Sequence, residues 1–169
     1  MRQSTARRTQ SWMDRERADH ARLYPHEVRI EVDPYGPIGA TRRENLDRVV
    51  AQVRARGRNP RVCLYAPSFD GQVPRASLES AANYAERQSW QVGPQQFYTD
   101  PSGATAPQDR PGWSLVRQQV RAGFADGVVV ITADVVSRQA ARYREELDWF
   151  EEHHGFIALV VSEPVTGLA

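Results

Sequence analysis

Ser68, Asp70 and Gln72 stand at alternate positions directly after Arg61-Val62-Cys63-Leu64-Tyr65-Ala66, a short apolar run with a polar start that closes at Pro67. Such a run reads as a strand buried in a sheet, with its carboxyl end opening into a polar loop. In open α/β sheets, ligands and chemistry sit just outside those strand ends. The same letters also describe a plain solvated turn, so other loops of this kind are needed to favour a site. Two are present: one leads to Arg110 and the other, after Gly127-Val128-Val129-Val130-Ile131, holds Asp134 and Arg138. A guanidinium grips phosphate bidentately. Two arginines at the carboxyl ends of different strands therefore predict a shared concave surface for a phosphate-sized anion. Against this stands the ordinary reading, in which Arg110 closes its loop through Asp109 and Arg138 starts a surface helix.

The elements that must position these residues are well marked. From residue 61 the chain reads strand, helix, strand, helix, strand, helix, strand. A helix over 75–90 carries Leu78, Ala81, Ala82 and Ala85, and Gln95–Tyr98 makes a short strand. A polar loop, Thr99 to Arg110, leads through Pro111-Gly112 into a helix with Trp113, Val116 and Val120 on one side. Val128–Ile131 has the continuous β-branched character of a strand covered on both faces. Ser137 is placed to cap the next helix, whose Tyr143, Leu147 and Phe150 repeat at helical spacing, and Phe156–Val161 is the last strand. This alternation predicts an α/β fold with a mainly parallel sheet and helices on both faces.

Before residue 61 the pattern changes. Residues 1–26 form a polar, Arg-rich arm. Glu27–Val32 alternates like a half-buried strand, and Asp33–Gly39, with two prolines and two glycines, reads as a loop. Thr41-Arg42-Arg43-Glu44 has the form of a capping box, Leu46, Val49, Val50 and Val53 make one apolar face, and Gly57 can end the helix, which predicts a helix over 42–56. Strand 28–32, helix 42–56 and strand 61–66 compose a βαβ unit, so this extension is able to join the same sheet.

The 169 residues suffice for one good core and are short for two. All 22 basic residues are arginine, and the net charge of +1 hides an asymmetry, with 13 Arg against 8 acids in residues 1–60 and 9 against 13 in residues 61–169. A basic arm on a mildly acidic domain is compatible with nucleic acid, although a sequence pI of about 8.0 is below that of a strongly basic binder. No apolar run is long enough to span a membrane and the amino terminus lacks the apolar centre of a signal peptide, so a cytoplasmic location is expected. Cys63, the single cysteine, reads as a small buried hydrophobe. No metal-ligand cluster appears, and adjacent His153 and His154 read as a solvated helix end.

Three blocks in this order resemble the serine recombinase (resolvase/invertase) catalytic domain over about residues 61–164. The first is Leu64-Tyr65-Ala66 with Ser68-Phe69-Asp70-Gly71-Gln72, then Ser77-Leu78-Glu79 and Tyr84-Ala85-Glu86-Arg87 to Trp90. The second is Asp100 to Gly103 with Asp109-Arg110-Pro111-Gly112. The third is Val128–Ile131 with Asp134-Val135-Val136-Ser137-Arg138. The resemblance implies a resolvase-like three-layer sandwich in which a serine hydroxyl attacks a DNA phosphodiester, forming a phosphoserine link with no metal or cofactor. Guanidinium groups must then neutralise the phosphate in the transition state. It also implies Arg110 and Arg138 as DNA-binding and catalytic groups, Asp134 as an orienting or proton-handling carboxylate, and Ser68 as the nucleophile if one residue is deleted from the pattern. Read without that gap, Phe69 takes the serine's place.

The chain departs from the family pattern where chemistry is most exposed. Pro67, or a deletion, replaces the first-block arginine and Val135 replaces the first arginine of the third block, so two of four guanidinium groups are missing. Losing one positioned transition-state donor typically costs about 10²–10³ in rate. Five residues follow Pro164, so the family's long helix and DNA-binding domain are expected to be missing. The expected function is that of a serine recombinase catalytic domain, degenerate or truncated. The alternatives are a catalytically inactive module that binds DNA or a protein, as a homo-oligomer or with another partner, and a flavodoxin-like phosphate or nucleotide binder, which would lack the usual Gly-rich loop.

Overall fold

The computed structural model describes residues 35–103 and 105–163. The arm at 1–26 and the strand expected at 28–32 lie outside them. The elements run α1 (Tyr35–Ala55), β1 (Arg61–Ser68), α2 (Arg75–Arg87), β2 (Gln91–Pro101), a 3₁₀ turn (Pro107–Asp109), α3 (Pro111–Arg121), β3 (Gly127–Val130), α4 (Ala133–Val136), α5 (Ala140–Glu152) and β4 (Phe156–Leu159). The four strands are parallel throughout, in the order β2-β1-β3-β4.

Side chains alternate across the sheet and divide the core in two. Val62, Leu64, Val129, Phe156 and Ala158 meet Val49, Val50 and Val53 of α1 and Ala81 and Ala85 of α2. Cys63, Tyr65, Val128, Val130, Ile157 and Leu159 meet Trp113, Val116 and Val120 of α3, Val136 of α4, and Tyr143, Leu147 and Phe150 of α5. Both faces are thus covered, as the unbroken apolar strands require. The helical faces read from the sequence at 113–120 and 143–150 are the ones buried. Cys63 is fully buried and its thiol donates to Gln96 Oε1 at 3.2 Å. Burial pushes that thiol's pKa up to about 12, so it is inert at neutral pH.

Helix α1 begins at Tyr35, seven residues before the expected start, and most of the expected loop 33–39 is its first turn. Pro37 is tolerated there because a first-turn N–H has no intrahelical acceptor. Gly39 is needed because the helix presses against Glu163, where a Cβ would come to 2.9 Å from Oε2. Thr41, inside the helix, donates its hydroxyl back to Pro37 O at 3.1 Å, so the capping-box pattern marks no helix start.

The same helix closes the free edge of β4. Phe156 and Val160 donate their N–H groups to carbonyls of Asp126 and Val130, so the carbonyls of the alternate residues Gly155 and Ile157 turn to the free edge. Asn45 Nδ2 donates to Gly155 O at 2.9 Å, and Arg42 Nη1 donates to Ile157 O at 3.2 Å. Two buried side chains thereby satisfy acceptors that a neighbouring strand would otherwise take. Arg42 also forms a bidentate pair with Glu163, Nε to Oε1 at 2.5 Å and Nη2 to Oε2 at 3.0 Å, and Tyr143 Oη donates to Oε1 at 2.7 Å. Burial alone would raise the Glu163 pKa, but these hydrogen bonds outweigh it and hold the carboxyl below its ordinary value.

Strand β2 is longer than the Gln95–Tyr98 expected. Its register against β1 slips between Val62 and Leu64, and Gln95 takes φ +59° there, so the Gly93-Pro94 pair sits within a bulged strand and not before one. Helix α2 ends at Arg87 because Ser89 turns left-handed. Ser137 does not cap α5: a short helix, α4, intervenes, α5 starts at Ala140, and the Ser137 hydroxyl accepts from Gln139 N at 3.1 Å. His153 stacks on Trp149 at the end of α5, 4.0 Å between centroids.

Candidate functional site

At the carboxyl ends of the strands lie two cavities, of about 800 and 260 Å³, that share Phe69, Ser102, Gly103, Arg110, Asp134 and Arg138 in their walls. The larger also takes in Arg142. Three of the four site residues expected from sequence, Arg110, Asp134 and Arg138, therefore face one cleft. The fourth, Ser68, stands between two wall residues of the smaller cavity, Pro67 and Phe69. Ser68 is the last residue of β1, half-buried, and its hydroxyl donates to Asp100 O at 3.3 Å.

A tight turn follows Ser68. Asp70 and Gly71 have φ of +51° and +69°, and Gln72 N donates to Phe69 O at 3.0 Å. Positive φ at both central residues is what a two-residue type I′ hairpin turn requires, and Asp-Gly is a preferred pair for it. Asp70 and Gln72, expected as parts of a reactive loop, instead build this turn, and neither lines the cavities. The turn holds Phe69 outward, 66% exposed, in the wall of both.

Arg110 is anchored: Nε donates to Thr105 O at 3.0 Å and Nη1 to Val135 O at 2.8 Å. It ties the loop after β2 to α4, not to Asp109. Val135, at the position where the recombinase pattern has an arginine, contributes its carbonyl to this tie. Arg138 differs. It is exposed, its carbonyl accepts from Tyr35 Oη at 2.9 Å, and its guanidinium makes no hydrogen bond or ion pair among the described residues. Asp134 is exposed and accepts from the Thr132 hydroxyl. Among the described residues no three His, Cys, Asp or Glu side chains come together as a metal site.

Beneath the cleft sits a residue that the sequence shows only as part of a block. Asp100, 4% exposed, accepts from Tyr65 Oη at 2.8 Å, from Gly112 N at 2.7 Å and from Trp113 N at 2.9 Å. Its carboxylate caps α3 and faces the positive end of that helix's dipole. Burial and the hydrogen bond to Asp100 push the Tyr65 phenol well above its ordinary pKa, with Arg110 opposing, so the hydroxyl stays protonated as a donor. Gly112 is required by the close approach, since a Cβ there would lie 2.4 Å from Thr99 O. Asp100 thus fixes the start of α3, and with it Arg110 at the cap. The signal in the sequence is an aspartate eleven residues before a Pro-Gly helix start, which is too long a spacing for local capping rules to flag.

The described backbone superposes on known structures. The C-terminal catalytic domain of ISC1926 TnpA, an IS607-like serine recombinase, superposes with a TM-score of 0.52 at 17% identity, over 60% of this chain and 71% of that one. The N-terminal catalytic domain of TP901-1 integrase superposes with a TM-score of 0.50 at 26% identity, over 59% and 76%. The chain has the fold of a serine recombinase catalytic domain. The resemblance seen in the three blocks is thereby found again in the backbone, and the sandwich architecture with it. No protein-family model and no curated protein sequence matches this chain. No helix among the described residues is long and apolar enough to cross a membrane.

Proposed function

We propose that this recombinase-like domain binds DNA through the cleft at its strand ends and does not cut it. Arg138 contacts a backbone phosphate directly, Arg110 holds the wall and adds its charge, and Asp134 limits how far the anion can travel. The observation that carries this reading is that Arg110 and Arg138 line one cleft while the Ser68 hydroxyl donates to Asp100 O at 3.3 Å. Phosphoryl transfer needs the attacking oxygen in line with the phosphorus and close to it. The fold likeness supports a DNA substrate, and the absence of arginine at Pro67 and Val135 supports loss of turnover.

The test is the salt dependence of binding to a duplex. Arg138→Ala removes a side chain that holds nothing else among the described residues, so the fold is expected to survive. One charged hydrogen bond contributes roughly 1.5–3 kcal/mol, so affinity should fall about 10- to 150-fold. The slope of log K against log salt should flatten by roughly one unit for each phosphate no longer neutralised, and by about two in Arg110→Ala with Arg138→Ala. Unchanged affinity and slope in the double variant would assign the domain to protein interaction instead.

A further inference from the structure

The cleft is cationic, yet its wall carries a large side chain that is apolar, aromatic and exposed. Phe69 leaves two thirds of its surface in water, on a turn whose two central residues hold positive φ and whose ends are bridged by the Phe69–Gln72 pair. Val73, next along the chain, is 58% exposed. A ring held this way has little freedom to fold back onto its own domain, and exposing it forgoes burial of an apolar side chain. Phosphate binding gives it no role, because a phenyl ring neither donates to an anion nor neutralises it. A ring face beside guanidinium groups is, however, the combination that holds single-stranded nucleic acid. The cations follow the backbone, and each base offers a π-face for stacking.

We propose that Phe69 is a base-stacking platform and that the cleft prefers an unpaired nucleobase, at a single strand, a gap or a frayed end, over intact duplex. This rests on the phosphate reading of the cleft and adds a preference to it. In an intact duplex the base faces are already stacked on one another, and exposing one carries an unstacking penalty, whereas an unpaired base meets the ring without it. The larger cavity, of about 800 Å³, lies within the size range of ligand sites. Phe69 and Arg138 both line it, so a nucleotide can set its phosphate on the guanidinium and its base on the ring. The preference does not require Ser68.

The experiment compares a short fluorescein-labelled single strand with the blunt duplex of the same sequence, by anisotropy, on wild type, Phe69→Ala, Phe69→Leu, Phe69→Tyr and Arg138→Ala. Stacking on one aromatic ring is worth roughly 5- to 140-fold in affinity. Phe69→Ala and Phe69→Leu should lose that factor on the single strand and leave the duplex unchanged, while Phe69→Tyr retains wild-type binding. Arg138→Ala should weaken both. Equal loss on the two DNAs, no loss on either, or full affinity in Phe69→Leu would overturn the stacking role. If the arginine variant still weakens binding in that case, the phosphate reading stands without it. If Arg138→Ala changes nothing, the phosphate reading fails and this inference fails with it.

Discussion

Arg42→Met should destabilise the domain by about 3–5 kcal/mol, the usual effect of breaking a buried ion pair from one side. The variant strips the bidentate partner from Glu163, whose side chain is 2% exposed, and leaves the carboxylate with Tyr143 Oη at 2.7 Å and Arg43 at 3.6 Å. It also uncovers Ile157 O at the edge of β4. Against a typical total stability of about 5–15 kcal/mol, the urea midpoint should fall by roughly a fifth or more. Pairing it with Glu163→Leu should restore much of the loss, since an apolar pair has no charge to strand. A stability within about 0.5 kcal/mol of wild type for the single variant, the range of an ordinary surface change, would mean that α1 does not hold β4 in solution.

Asp100→Ala is expected to cost about 2–5 kcal/mol, from the loss of a helix cap at about 0.5–2 and the stranding of a buried hydroxyl at about 1–3. The hydroxyl is that of Tyr65, and the cap is the carboxylate that accepts from Gly112 N and Trp113 N. Tyr65→Phe removes donor and desolvation penalty together, so it should cost far less. Because Arg110 sits at the cap of α3, Asp100→Ala should also weaken DNA binding even at temperatures where it remains folded. Urea titration followed by tryptophan fluorescence reads the first effect, since Trp113 packs 5.0 Å from Tyr65 in the core. Wild-type stability in this variant would exclude Asp100 as the support of the cleft.

The difference between what the sequence disclosed and what it hid follows the range of the interactions. Trp113, Val116 and Val120, or Tyr143, Leu147 and Phe150, announce a helix face through spacing alone, and all are buried in the core. Parallel strands without polar alternation announce two covered faces. The start of α1 was hidden because Pro37 and Gly39 argue locally for a loop, while the reason for the glycine is Glu163, far along the chain. Ser137 looked like a cap because local rules do not reveal that α4 fits between Ala133 and Val136.

The site divides in the same way. Arg110, Asp134 and Arg138 meet in one cavity wall because the parallel topology sends every strand's carboxyl end to one edge of the sheet. Ser68 was expected with them because it lies on such an end as well. The Asp70-Gly71 turn that follows it was legible, since Asp-Gly is a hairpin signal. Asp100 was not legible as a support, since only the folded chain brings Tyr65, Gly112 and Trp113 to one carboxylate.

We propose that the cleft binds DNA and that the Ser68 hydroxyl, which donates to Asp100 O, does not attack it. Incubating wild-type protein with a nicked suicide duplex, and running the same mixture on native and denaturing gels, tests it most directly. The expected result is a complex on the native gel that weakens with salt and no protein–DNA species after denaturation. A covalent adduct that survives denaturation and disappears in Ser68→Ala would contradict it, and would make Ser68 the nucleophile despite Pro67 and the bond to Asp100.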